Sequence, residues 1–132
     1  MKKLLPVEAT RSGPAAHRQT HDRADRSGHV TAIALLSVAP ATADSMSADV
    51  ADAVAALDEF DVSYETNPMG TVVEADDART LFAAARAAHE AVDADRVSTF
   101  LKVDDKRTDD RPAAAKVEAV ERELGRPAHG ER

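Results

Sequence analysis

Cysteine and tryptophan are absent from this sequence, and other aromatics are scarce: three Phe and one Tyr among 132 residues. Without cysteine there is no disulfide, no thiolate nucleophile and no Cys-ligated metal. Few aromatics leave Ala, Val and Leu to build the core and give little support for stacking on nucleobases. Positive charge is short as well. Six of the 17 Lys/Arg and three of the 24 Asp/Glu fall in residues 1–29, so residues 30–132 hold 11 basic and 21 acidic side chains, a net of −10. Counterion release on phosphates needs clustered Lys/Arg, so nucleic acid is not an expected partner, nor is an acidic membrane surface. Long apolar runs are missing too. After Lys2 and Lys3 only Leu4 and Leu5 precede Pro6, too short for a signal-peptide core, and no run reaches transmembrane length. The cytoplasm is the expected location.

What is present is enough for one domain. Abundant Asp and Ala with few Lys fit a surface adapted to high salt, where carboxylates hold water and repulsion is screened; an ordinary acidic soluble protein fits the same composition. Residues 1–29 mix Pro, Gly, Ser, His and Arg without apolar periodicity and read as a disordered extension. His17 and His21 stand four apart, but Gly13 and Pro14 argue against the helix that would make them a metal pair. Regular patterning starts at Val30, whose codon can serve as an alternative start, so the extension reads as a misassigned start site.

Residues 30–126 read as the folded domain and 127–132 as a frayed tail. The apolar run Val30 to Pro40 predicts a buried central strand. Ser45 or Ser47 can cap a helix whose apolar face is Val50, Val54, Leu57 and Phe60. Val62, Tyr64 and Thr66 then alternate with polar residues up to the turn chemistry of Asn67-Pro68-Met69-Gly70, and Thr71 to Ala75 resumes as the second strand of a hairpin. Asp76 or Asp77 can cap a helix with the stripe Leu81, Phe82, Ala85, Ala88 and Val92. Arg96 to Asp105 alternates Val97, Thr99, Leu101 and Val103 with Ser98, Phe100, Lys102 and Asp104. A last helix from Pro112 carries Ala113, Val117, Val120 and Leu124 and stops at Gly125 and Pro127. The order predicts an α+β, ferredoxin-like βαββαβ sandwich, the split βαβ arrangement, with an extra C-terminal helix. Two helices cover one sheet face. The other face, bearing Phe100 and Val72, needs a cover from a second subunit, a ligand or the third helix.

Catalytic chemistry finds little support. The segment Ala39 to Ala43 lacks the glycines of a phosphate loop, and no Gly-x-Ser-x-Gly elbow occurs. His89 reads as a partly buried structural histidine near a helix C-terminus, and Glu90 beside it diverges on the helix, so a cofactor-free enzyme ranks last. Asp104, Asp105, Asp109 and Asp110 lack the spacing of a calcium loop and read as a solvated acidic turn. No catalytic residue, metal or cofactor is expected. Glu74 and Lys102 occupy strand positions that can point to the open face. They either pair with each other or leave Glu74 to accept hydrogen bonds from a ligand.

Several ordered segments together resemble the thiamine-binding (YkoF-like) proteins over about residues 30–124. These are the first strand ending at Pro40, Tyr64-Glu65 leading to Met69-Gly70-Thr71 and Glu74, Ala87-Ala88-His89-Glu90-Ala91, Arg96-Val97, Thr99, Leu101-Lys102-Val103-Asp104-Asp105 and Arg107. The resemblance implies a ferredoxin-like fold, assembly into homodimers or homotetramers, and non-catalytic binding of thiamine or its hydroxymethylpyrimidine part. Thr71, Glu74, Thr99, Phe100 and Lys102 are the candidate binding residues it implies. An oligomeric scaffold or regulatory protein without a small ligand is the alternative.

Overall fold

The structure, a computed structural model, describes residues 30–41 and 45–131. The extension and its His17/His21 pair therefore lie outside the described residues. Three helices and four strands follow in the expected order: β1 Ala32–Pro40, α1 Ser47–Ala56, β2 Val62–Asn67, β3 Gly70–Ala75, α2 Ala78–Glu90, β4 Val97–Asp105 and α3 Ala113–Leu124. A 3-10 turn over Leu57–Glu59 closes α1.

The sheet order is β2-β3-β1-β4 and every neighbouring pair is antiparallel. This is the ferredoxin-like α+β arrangement. β1 holds the centre because its apolar residues suit burial: they alternate between burial toward the helices and partial burial behind, with only Ser37 exposed. Asp77 caps α2 by accepting from Thr80 N at 2.8 Å. Neither serine caps α1, whose N-cap residue is Met46 and makes no side-chain cap hydrogen bond. Gly125 ends α3 in the left-handed conformation, φ +74°, its N–H donating to Glu121 O.

The core lies between the sheet and α1 and α2. Among the described residues, seven of the thirteen buried apolar residues are alanine, so small side chains make up much of the layer between helices and sheet. Leu36, Val38, Leu57, Val73 and Val92 fill one part with Ala53, Ala84, Ala85 and Ala88, and Leu81 fills the other with Ala32, Ala34 and Ala75.

The opposite face is only partly covered. The first turn of α3 is hydrogen-bonded to it through Glu74, but no residue of α3 is buried, and Phe100 is 57% exposed. Residues 127–131 are partly tied down, Ala128 N donating to Glu121 Oε2 at 2.9 Å.

Candidate functional site

The hairpin register decides which side chains meet. Asn67 opposes Gly70, so Thr66 opposes Thr71, and both point to the helix side of the sheet. Their hydroxyls are 2.9 Å apart, and Thr71 is only 4% exposed. Gly70 lets the hairpin come this close to β1: a Cβ there would lie 2.9 Å from Leu36 O, at φ +153°. At the tip, Met69 N donates to Asn67 Oδ1 at 2.8 Å, which folds the turn back on itself.

Between this hairpin, the end of β1 and the start of α1 is a cavity of about 200 Å3. Leu36, Val38, Val50, Ala53, Val54 and Leu57 give it apolar walls, Thr66 and Thr71 give it hydroxyls, and Met46, Pro68 and Met69 also line it. Typical drug-sized pockets run to roughly 300–1,000 Å3, so this one suits a single small ring. None of its described lining side chains ionises. A pair of neutral hydroxyls can both donate and accept, which matches a heterocycle that carries an amino group beside a ring nitrogen.

The five residues expected to bind divide between the two sheet faces. Thr71 lines the cavity. Thr99 shares its face, being paired with the buried Val38 across β1, but β1 separates the two, and its hydroxyl is 2.6 Å from His89 Nδ1. His89 is thereby exposed and bonded to β4 rather than partly buried, while Glu90 pairs with Arg86 one turn back. Glu74, Phe100 and Lys102 lie on the other face, as the alternation of β3 and β4 requires.

Glu74 does not pair with Lys102. The register explains why: Glu74 stands across Ile33 from Asp104, whereas Lys102 is one row further along, across Leu35 from Val72. Glu74 Oε1 instead accepts from Ala113 N, at the start of α3, at 3.1 Å. The acidic turn is ion-paired rather than merely solvated. Asp104 meets Lys116 at 2.9 Å, and this hydrogen bond holds its carboxyl below the ordinary range. Asp109 accepts from the Arg111 side chain and from Arg111 N, which hold its carboxyl far below that range, and it also pairs with Lys106. Among the described residues, no group of three or more His, Asp or Glu could hold a metal ion.

The profile of the thiamine-binding protein family matches residues 34–121, from early β1 into α3. The chain belongs to this family. Among family relatives, the UPF0045 protein of Methanothermobacter thermautotrophicus is 48% identical over 83 residues, 61% of this chain and 84% of its own. The UPF0045 protein MJ1052 of Methanocaldococcus jannaschii is 35% identical over 78 residues, 58% of this chain and 77% of its own. The crystal structure of that second protein superposes with a TM-score of 0.63 at 33% identity, covering 67% of this chain and 94% of the other. A Thermotoga maritima protein provisionally named for thiamine biosynthesis or salvage shares the fold, with a TM-score of 0.59 at 20% identity, covering 67% of this chain and 97% of the other. The family match thus takes in both the hairpin that shapes the cavity and the strand that carries Phe100 and Lys102.

Thr66, Asn67 and Met46 line the cavity but were not among the expected binding residues. The first two were within reach of the sequence: once Pro68-Met69 is taken as the hairpin loop, Thr66 must oppose Thr71. Met46 had no local signal, because it comes to the cavity only through the packing of α1 on the sheet.

Among the described residues no helix is long and apolar enough to cross a membrane.

Proposed function

We propose that this protein binds thiamine or its hydroxymethylpyrimidine part, without transforming it, in the cavity between the β2–β3 hairpin and α1. The observation that carries the reading is the Thr66–Thr71 hydroxyl pair, set in an apolar cavity of single-ring size in a chain of the thiamine-binding family. The pair supplies the polar contacts that fix a small ring's orientation, and the aliphatic walls supply the rest of the affinity. Met46 and Met69 can lie against its face through their polarisable thioethers. Among the described residues the lining has no ionisable side chain, which supports binding over proton transfer, because a general acid or base must sit within reach of the proton it moves.

Calorimetry of the full chain with thiamine, and separately with the hydroxymethylpyrimidine, tests this. Saturable binding is expected, and Thr71→Val, which keeps the shape and removes the hydroxyl, should weaken it about tenfold, near 1.4 kcal/mol. No heat of binding at millimolar ligand would overturn the reading.

A second reading, an oligomeric protein that forms homodimers or homotetramers, rests on a separate observation. Val117, Val120 and Leu124 of α3 are about half exposed. At roughly 100° per residue they form a stripe on a different side of the helix from Ala115 and Ala119, which face the sheet. An apolar stripe turned away from its own domain fits an intermolecular contact. The two readings are compatible, since cavity and stripe lie on opposite sides of the sheet.

A further inference from the structure

α3 is joined to the rest of the molecule in an unusual way: it buries none of its twelve residues, so packing contributes little to holding it. A gap of about 370 Å3 lies beside its first turns, bordered by Ala115 and Ala119 of α3, by Ile33 of β1 and, for most of its lining, by the charged side chains of Asp104, Lys106, Asp109, Arg111 and Lys116. Its N-cap residue is Pro112, which makes no side-chain cap hydrogen bond, so the first turn needs an acceptor from elsewhere. Glu74 supplies one from β3, 39 residues away, at 3.1 Å from Ala113 N, and it is part-buried there. A carboxylate suits that position because the first turn of a helix presents bare N–H groups and the positive end of the dipole. Lys116 Nζ adds a tether to Asp104 at 2.9 Å, but that pair is half exposed on both sides and therefore weak and open to screening. The approach to the helix is set by Asp109, which holds Arg111 N at 2.9 Å, and by Val30 N donating to Asp110 O at 3.1 Å.

The tethers from Glu74, Asp104 and Asp109 thus lie at one end of the helix. The eight residues of the helix beyond Lys116, at about 1.5 Å each, make a lever of roughly 12 Å. We infer that Glu74 is the pivot of a hinged strap: it fixes the first turn of α3 on the open face of the sheet, and the helix closes or lifts over the gap by turning about that point. Glu74 is then a positioning residue whose partner is the helix backbone. The inference is independent of what the cavity on the other face binds.

Hydrogen exchange of the full chain, read by mass spectrometry on peptides covering residues 113–124 and on peptides from β1 and β4, tests it. Glu74→Ala removes the acceptor and should speed exchange in the first turns of α3 about tenfold while leaving the sheet peptides unchanged. Glu74→Gln keeps an acceptor and loses the charge, so it should fall between wild type and Glu74→Ala. Asp104→Asn should give a smaller rise, which 1 M NaCl reproduces in the wild type. The inference fails if both Glu74 variants leave α3 exchange within twofold of wild type. It also fails if sheet and helix accelerate together, which would mark Glu74 as a general structural residue, or if α3 in the wild type exchanges as fast as unstructured chain.

Discussion

Gly70 shows how much a single position can decide. Its φ of +153° is open to glycine and strained for other residues, and an added methyl would meet the carbonyl oxygen of Leu36 at 2.9 Å, a backbone atom with nowhere to go. Gly70→Ala should therefore destabilise the fold by about 1–3 kcal/mol, visible as a fall of several degrees in Tm by calorimetry. An unchanged Tm would show that the hairpin can move away from β1 without loss. At this scale the sequence was a partial guide. Turn chemistry marked Asn67 to Gly70, and alternation placed Phe100 and Lys102 on the open face, because both signals are local. The partner of Glu74 was not legible. Its carboxylate is satisfied by a backbone N–H that no side-chain pattern announces, and the pairing with Lys102 fails by one row of the sheet.

Among the elements, α1 and α2 differ in how their starts are satisfied. Asp77 accepts from Thr80 N at 2.8 Å, whereas α1 begins at Met46 with no side-chain cap. Asp77→Ala should cost about 1 kcal/mol, a Tm fall of roughly 4–8 °C for a domain of this size, and a change under 1 °C would show the cap to be replaceable. All four strands and three helices could be read in advance because each carries a local signal: an unbroken apolar run ended by Pro40 for β1, alternation and turn residues for the other strands, and a 3.6-residue period for the helices. The cavity could not. It forms where the hairpin, β1 and α1 meet, and the distance between such elements depends on side chains far apart in the chain. The strand Val97–Asp105 divides as its alternation requires: Val97, Leu101 and Val103 pack toward the core, while Phe100 and Lys102 face away from it.

Taken whole, the molecule has one face occupied by helices and one that α3 covers incompletely, with the α3 stripe turned outward. If that stripe is an interface, light scattering on the eluting protein should give a multiple of the 14.0 kDa chain mass, and Val120→Asp with Leu124→Asp should bring it to a single chain. A wild-type mass of one chain would remove the oligomeric reading and leave ligand binding untouched. The acidic balance of residues 30–132 makes such a test worth running at both low and high salt, since like charges on two subunits repel most at low ionic strength.

The alanine-rich core has a thermal consequence. Alanine buries less apolar surface than leucine or valine, and it is newly wetted apolar surface that raises the heat capacity when a chain unfolds. A sandwich with a core rich in small side chains therefore has a flatter dependence of stability on temperature than one filled with bulky residues. It gives up height at the maximum of the curve and keeps breadth on either side.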